Sequence, residues 1–207
     1  MFRHAYYEGA LQRFQLALQN DPKNADAHYN LAATYHRLGK LNGRAADLTQ
    51  AETSYNRCLD FVPNHQACYR GLAVLLVEQG RNAEAQRLLE GWAARSPSLA
   101  APHVELARLH DEAGRRAEAQ QSLVDALKVE PANAVALTAL GRLREQSGDT
   151  AQALANYQRS LSLDRFQPQV AARVASLQSA SGLGAAPPAG NGPGGTRMVN
   201  EPTAPLR

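Results

Sequence analysis

The sequence predicts an all-α fold, a solenoid of stacked helical hairpins that follow one another along the chain. Two observations lead to this prediction. Ala, Leu and Arg are the most frequent of the 207 residues, whereas aromatic residues make up only 6% of them, and these frequent types favour helix. Glycine, alanine and proline also recur in one register with a period of 34 residues. A fixed period of this length is typical of repeat architectures.

Three residue types carry the period, and each has a different structural role. Glycine supplies the left-handed turn that closes a first helix, alanine lets two helices approach closely, and proline ends a second helix. Their positions are Gly80, Gly114 and Gly148, then Ala85, Ala119 and Ala153, then Pro63, Pro97 and Pro131. Each unit is therefore predicted to be a helix, a tight turn and a second helix.

Short polar residues stand where helices are predicted to begin. Asn24, Ser98 and Asn133 precede first helices, and Thr150 precedes the second helix of the last hairpin. Side-chain oxygens of these types accept hydrogen bonds from unpaired amides at helix starts. All four are therefore predicted to be N-caps.

The units resemble the tetratricopeptide repeat, whose pattern combines Leu, small and aromatic positions with a terminal proline. One unit places Tyr69, Leu72, Ala73, Leu76, Gly80, Ala85, Leu89, Trp92 and Pro97 at these positions. The resemblance implies an α-α superhelix of about four full repeats, with a partial first repeat and a C-terminal capping helix. The repeat domain would span 1–179, divided into 1–23 (partial), 24–64, 65–98, 99–132, 133–166 and the capping helix 168–179.

The repeat at 24–64 contains an insertion of seven residues, placed at 41–47. Seven residues are close to two helical turns, so the insertion lengthens a helix while changing its facing by only about 20°. Asn42 and Gly43 are predicted to form the turn, and Arg44 to Gln50 to extend the second helix. The sequence therefore predicts a protruding hairpin.

Both ends depart from the repeat pattern. The segment Ala10 to Pro22 matches only a second helix, which leaves Phe14 and Leu18 with reduced cover. Either the sequence starts inside a longer protein, or a partner covers that edge. Residues 180–207 are rich in Gly and Pro, poor in large apolar side chains, and predicted to be disordered. This tail is either solvated or carries a short binding motif.

Charge and hydropathy limit the kinds of partner. The net charge is +3, and the arginines are interleaved with acidic residues, so no basic block indicates a nucleic-acid partner. No apolar run approaches the roughly 20 residues that span a bilayer. The N-terminus lacks the apolar core of a secretory signal, so a cytoplasmic location is expected unless an upstream signal or anchor precedes Met1.

The search for chemistry points to no enzyme. Cys58, His65 and Cys68 lie close in sequence, but Cys58 occupies a place where the repeat needs a small buried residue, and no fourth ligand follows at zinc-finger spacing. Structural packing is therefore favoured over a metal site. No nucleophile motif and no convincing carboxylate pair is present, so neither cofactor nor catalytic activity is predicted.

Because first helices generally line the ligand groove of tetratricopeptide proteins, the resemblance implies a concave binding surface. Its predicted members are Tyr29, His36, Arg37, Arg70, Val74, Val104, Arg108, Thr138 and Arg142. Four arginines among them, one per repeat, either form a ladder for an acidic peptide or are neutralised by nearby acids. The acids in question are Glu78, Asp111, Glu112 and Glu145.

The predicted function is that of a protein–protein interaction module, an adaptor or assembly scaffold that binds a peptide or partner protein in this groove. A first alternative is that the chain is a noncatalytic fragment of a larger tetratricopeptide protein. A second is an RNA-binding helical repeat, which the lack of a recurring polar pair in the groove opposes. The sequence does not determine the oligomeric state.

Overall fold

The computed structural model describes residues 2–180 and residue 182 of the 207-residue chain. Within that part the chain is helical throughout, without a strand, and this confirms the predicted all-α class. The helices are α1 (Phe2–Asn20), α2 (Ala25–Asn42), α3 (Ala45–Phe61), α4 (Gln66–Glu78), α5 (Asn82–Arg95), α6 (Ala101–Glu112), α7 (Arg116–Val129), α8 (Ala134–Gln146), α9 (Thr150–Leu163) and α10 (Pro168–Ala180).

The helices stack as a solenoid. Each helix packs against the next one in the chain, and in addition α2 contacts α4 and α4 contacts α6. The first helices of successive hairpins therefore lie on one side of the array and the second helices on the other. The complete hairpins are α2–α3, α4–α5, α6–α7 and α8–α9, and these form the predicted solenoid.

The period-34 residues have the predicted roles. Gly80, Gly114 and Gly148 follow first helices with φ of 78°, 74° and 83°, a left-handed conformation that side chains with a Cβ disfavour. The three prolines of the period each lie two residues after a second helix ends. The small residues at the helix crossings are buried, namely Ala32, Ala73, Ala107, Gly141, Ala51, Ala85, Ala119 and Ala153.

Two of the four predicted N-caps are confirmed. The Asn24 side chain accepts a hydrogen bond from the Ala27 amide at 2.9 Å, and Asn133 caps α8 in the same way at 2.8 Å. The predictions for Ser98 and Thr150 are wrong, because α6 and α9 have other residues at their N-cap positions.

Neighbouring residues explain both errors. The helix after Ser98 begins only at Ala101, with Ala100 at the N-cap position, so Ser98 lies two residues too early to cap it. Thr150 is the first residue of α9, and the carboxylate of Asp149 accepts the hydrogen bond from the Gln152 amide instead.

The hairpin α2–α3 is longer than the others. Its helices contain 18 and 17 residues, and the turn lies at Gly43, with φ of 65°. Gly39, at the periodic glycine position, stays inside α2, where an added Cβ would lie 2.5 Å from the Leu48 side chain. The extra length is thus divided between both helices, whereas the sequence analysis assigned it to the second alone.

The two ends of the array differ in how far their apolar side chains are buried. Phe14 and Leu18 of α1 are only half-buried, and Leu16 is 58% exposed. At the other end, α10 buries Val170 and Leu177. The predicted disordered tail, 180–207, lies outside the described residues except for Ala180 and Gly182.

Candidate functional site

A groove runs along the first-helix side of the array, between α4, α6 and α8. Two adjoining cavities make it up, one of about 730 Å³ at the N-terminal ends of these helices and one of about 270 Å³ further along them. Arg70, Val104 and Val135 line both cavities. This surface is called the central groove. Its lining includes Arg70, Val104, Glu105, Arg108, Asp111, Val135, Ala139 and Arg142.

The structure brings four of the nine predicted groove residues into this lining, namely Arg70, Val104, Arg108 and Arg142. The other five lie outside it. Thr138 is turned away because its hydroxyl hydrogen-bonds to Ser160 Oγ at 2.7 Å, in the contact with α9.

The predicted residues of α2 and α4 that miss the groove are held in other contacts or lie elsewhere on the surface. The Tyr29 ring stacks on His65 with 5.6 Å between ring centroids. His36 Nε2 lies 2.9 Å from a carboxylate oxygen of Glu78. Val74 is half-buried, and Arg37 is exposed on α2.

Glu105 of α6 is the electrostatic centre of the groove. Its side chain is completely buried, and its carboxylate accepts hydrogen bonds from Arg70 at 2.5 Å, from Gln66 at 3.0 Å and from Arg108 at 3.1 Å. Burial alone would raise the pKa of Glu105, but the hydrogen bonds from Arg70 and Gln66 outweigh burial and lower the pKa below its ordinary value. Glu105 is therefore a carboxylate at neutral pH.

The other groove arginines are also paired with carboxylates. Arg108 Nη1 donates to Glu112 at 2.6 Å, and Arg142 Nη2 donates to Asp111 at 2.7 Å. Arg70 and Arg142 nevertheless keep about half of their side-chain surface exposed, 51% and 53% respectively. Of the acids proposed as neutralisers, Asp111 and Glu112 do pair with groove arginines.

The remaining two proposed neutralisers serve other cations. Glu78 binds His36 and Lys40. Glu145 pairs with Arg173 and accepts a hydrogen bond from the Tyr157 hydroxyl. The groove arginines thus pair with two of the four expected acids and, in addition, with the buried Glu105.

Between the arginines the groove floor is apolar and partly unsatisfied. Val135 is 64% exposed although it is a large apolar side chain, and Val104 and Ala139 beside it are half-buried. Arg108 Nη2 is a buried donor without a hydrogen-bond partner among the described residues. The lining therefore offers an apolar surface together with the half-exposed side chains of Arg70 and Arg142.

The groove is also lined by Glu105, Val135 and Ala139, which were not predicted from the sequence as groove residues. A signal existed for Val135, which is an apolar residue in the first turn of α8 that the repeat pattern does not require. Glu105 directly precedes the periodic Leu106, where the neighbouring repeats carry Gly71 and Ala139. A carboxylate at a position otherwise held by small residues points to a special environment.

The two cysteines are joined to each other, a pairing that the sequence did not predict. Cys58 of α3 and Cys68 of α4 form a disulfide, and both are completely buried. Burial of Cys58 follows from its repeat position. The spacing of ten residues along the chain does not reveal that the turn between α3 and α4 brings the two sulfur atoms together.

None of the helices described in the structure is long and apolar enough to cross a membrane.

Family models match most of the chain. A TPR repeat model matches residues 6–39, and tetratricopeptide repeat models match residues 44–109, 76–143 and 136–169. No curated protein is a significant match to the sequence.

Solved structures with the same architecture include TTC0263, a thermophilic TPR protein of Thermus thermophilus, which is 25% identical with a TM-score of 0.62. That alignment covers 86% of this chain and 93% of the other. Pseudomonas aeruginosa pilF is 24% identical over 77% of this chain and 71% of its own, with a TM-score of 0.55.

A third similar structure is YrrB, described as a TPR protein with an unusual peptide-binding site. It is 15% identical over 83% of this chain and 84% of its own, with a TM-score of 0.50. At this identity the likeness concerns the fold. Together with the ten-helix solenoid and its period of 34 residues, these matches show that the chain is a member of the tetratricopeptide repeat family.

Proposed function

We propose that the chain is a noncatalytic protein-interaction module whose central groove binds a peptide segment of a partner protein. The fold is generally one of protein–protein interaction, and the proposal adds the site and the chemistry of the ligand. The observation that carries it is the coincidence, in one cavity, of the exposed Val135 side chain and the half-exposed side chains of Arg70 and Arg142. The peptide-binding site named for YrrB is consistent with it.

The ligand matching this lining has an apolar side chain next to an acceptor group, of which a carboxylate is the strongest. Val104, Val135 and Ala139 would contact the apolar side chain, and transfer of its surface from water is favourable. Arg70, half-exposed in the same cavity, would donate to the carboxylate, since hydrogen bonds between charged groups are about twice as strong as neutral ones. Arg142, half-exposed above the same cavity, adds a second donor.

The arginines of the groove are held in place without a ligand, which supports the proposal. Glu105 fixes the guanidinium of Arg70 by three contacts and also binds Arg108. A ligand therefore does not have to order these side chains itself, which lowers the entropic cost of association. The same carboxylates oppose a phosphate backbone, so an RNA ligand is not part of the proposal.

The test starts from peptides selected by the full chain out of a random-sequence display library, because the partner is unidentified. Affinities of the selected peptides are then measured by fluorescence anisotropy for wild type and Val135→Lys. We expect Val135→Lys to weaken binding about tenfold or more, as loss of a central apolar contact does. Leu163→Lys is the matched control, since Leu163 is also exposed, at 46%, but lies on the second helix α9.

The carboxylate part of the proposal is tested separately with Arg142→Gln, against Arg57→Gln as the control on α3. Arg142 is preferable to Arg70, whose removal would leave Glu105 buried without its main partner. Selected peptides should be rich in Asp, Glu or a free C-terminal carboxylate and should bind Arg142→Gln more weakly. The proposal would be contradicted if Val135→Lys and Leu163→Lys bound the selected peptides with equal affinity. Tight, salt-dependent binding of single-stranded RNA by the wild type would also contradict it.

A further inference from the structure

The junction between α3 and α4 brings three possible metal ligands together. Ligand atoms of Cys58, His65 and Cys68 all lie within 4.8 Å of one another, and across residues 2–180 and 182 this is the one group of three or more His, Cys or acidic side chains so placed. The repeat places Cys58 in the last turn of α3 and Cys68 in the first turn of α4. His65 caps the start of α4 between them.

The contacts of His65 orient both nitrogens of its ring. Nδ1 accepts a hydrogen bond from the Cys68 amide at 3.2 Å, so this nitrogen faces the cysteine, and to bind a metal it would exchange that hydrogen bond for the bond to the ion. Nε2 lies 3.1 Å from Oδ1 of Asp26, on the neighbouring first helix. A histidine that ligates a metal through one nitrogen commonly donates from the other to a carboxylate, which fixes its tautomer and orientation.

We propose that Cys58, His65 and Cys68 bind one Zn²⁺ ion when the disulfide is reduced, with Asp26 as the residue that positions His65. Two thiolates and one imidazole are a ligand set that suits this ion. In a tetrahedral site with Zn–S distances of about 2.3 Å, the two sulfurs separate to about 3.8 Å, which side-chain rotation on adjacent helix ends provides.

The fourth coordination position is taken by water. His65 lines the larger cavity of the central groove, so the cluster is one side chain away from the cavity and its solvent. Three protein ligands and one water form a known zinc arrangement. This position supplies the entry path that an otherwise buried pair of sulfurs lacks.

The chemistry that converts one form into the other is balanced. A dithiol transfers two electrons and two protons to the Cys58–Cys68 disulfide, which yields two protein thiols and the disulfide of the reductant. Zn²⁺ binding then displaces one proton from each thiol, because the thiolate is the ligand. The disulfide and the bound ion exclude each other, and the cytoplasmic location predicted from the sequence would favour the reduced form.

The sequence analysis rejected a metal site because it found no further ligand nearby along the chain. Asp26 lies 39 residues before His65, and only the stacking of α2 on α4 brings the two together. The carboxylate does not coordinate the ion in this arrangement. The Asp26 carboxylate instead orients the His65 ring, and the spacing of ligands along the sequence does not reveal such a contact.

The test compares metal binding by the oxidised and the reduced full chain. The protein is reduced with dithiothreitol without oxygen, freed of reductant, and titrated with Zn²⁺ in competition with a chromophoric chelator. Co²⁺ is then used as a spectroscopic probe of thiolate coordination. We expect one ion per reduced chain, a thiolate-to-cobalt charge-transfer band, and no binding by the disulfide form.

Variants distinguish the role of each residue, with helix content measured by circular dichroism for all of them. Cys58→Ser and Cys68→Ser should abolish the band, and Asp26→Asn should weaken Zn²⁺ binding by about 10- to 100-fold. Asp60→Asn, at an exposed carboxylate of α3, should leave the affinity unchanged. The proposal is overturned if reduced wild type binds no Zn²⁺, if binding survives both cysteine substitutions, or if His65→Ala binds as tightly as wild type.

Discussion

Glu105 combines complete burial with a full negative charge, which makes it the side chain on which the groove geometry depends. Three neighbours donate hydrogen bonds to it, and two of these donors, Arg70 and Arg108, line the groove. Removing a charge of this kind leaves buried donors unpaired. The effects on folding and on binding should therefore appear together.

Glu105→Gln is expected to lower the free energy of unfolding by about 1.5 to 3 kcal/mol, the usual contribution of hydrogen bonds to a charged group. Chemical denaturation at pH 7 measures it. Glu112→Gln is the control, because Glu112 is 50% exposed and should change the stability by less than about 0.5 kcal/mol. Similar losses of unfolding free energy in both variants would mean that the buried hydrogen bonds of Glu105 do not stabilise the fold.

His110 of α6 gives the fold a dependence on pH. Its side chain is buried, with Glu118 at 3.5 Å from Nδ1. Burial and the positive charge of Arg115 lower the pKa of His110 below its ordinary value, although Glu118 and Glu90 oppose this. Between the lowered pKa of the folded state and about pH 6.5, the unfolded chain therefore binds more protons at His110 than the folded chain does.

Since the unfolded state takes up more protons, the free energy of unfolding should fall as the pH decreases from about 7.5 to about 5.5. In His110→Leu the free energy of unfolding should depend less steeply on pH. Leu is a suitable replacement because Leu76 holds the equivalent place in the preceding repeat. Urea denaturation across this pH range measures the slope, and an unchanged slope in the variant would contradict the role of His110.

At the scale of helix pairs, close approach depends on glycines that the 34-residue period does not reveal. Gly71 of α4 faces the Tyr55 ring of α3, where an added Cβ would lie 2.5 Å from Cε1. Tyr55 is itself only 2% exposed, so the ring has no room to withdraw. The contact sets the spacing between these two helices.

Gly71→Ala should therefore lower the free energy of unfolding by about 1 to 3 kcal/mol, the typical cost of overpacking. Gly9→Ala should have the opposite sign and raise it by about 0.5 to 1 kcal/mol. Gly9 lies inside α1 with nothing within 4 Å of an added Cβ. Thermal or urea denaturation distinguishes the two signs, and a gain in stability for Gly71→Ala would refute the tight contact.

Sequence reasoning located the helices well, because a turn glycine or an asparagine cap acts locally. It failed where a neighbour competes for the same role, as Asp149 does beside Thr150. It also failed to divide the extra length of the α2–α3 hairpin between its two helices, which contain 18 and 17 residues. Such choices depend on packing between helices and not on the residue itself.

The candidate site was less predictable for a related reason. Repeat register identifies which side of a first helix faces the groove, and this found Arg70, Val104, Arg108 and Arg142. It does not show how side chains pair between repeats, so the contact of Glu105 with Arg70 was missed. The disulfide and the contact of Asp26 with His65 were missed because they too join different helices.

In the whole molecule, stability is distributed along the array, because each helix packs mainly on its chain neighbours. The Cys58–Cys68 disulfide adds a covalent link at one of these interfaces, between α3 and α4. The link restricts the unfolded chain as well as joining two folded helices. Its effect should therefore extend to the unfolding of both neighbouring hairpins.

Reduction by a dithiol in the presence of a metal chelator should lower the free energy of unfolding by about 2 to 4 kcal/mol. Urea denaturation with and without the reductant measures the difference. The same treatment of Cys58→Ser serves as the control and should have no effect. Equal stability of the oxidised and reduced wild type would show that the link does not limit unfolding.

The disulfide also determines how the molecule would respond to tension. A solenoid pulled from its two ends carries the load in series, so its weakest helix interface separates first. At the α3–α4 junction the load passes through the bonded sulfur atoms and not through the nine residues between Cys58 and Cys68. While oxidised, the array would therefore lengthen on either side of this point, and reduction would add the junction to the interfaces that yield under force.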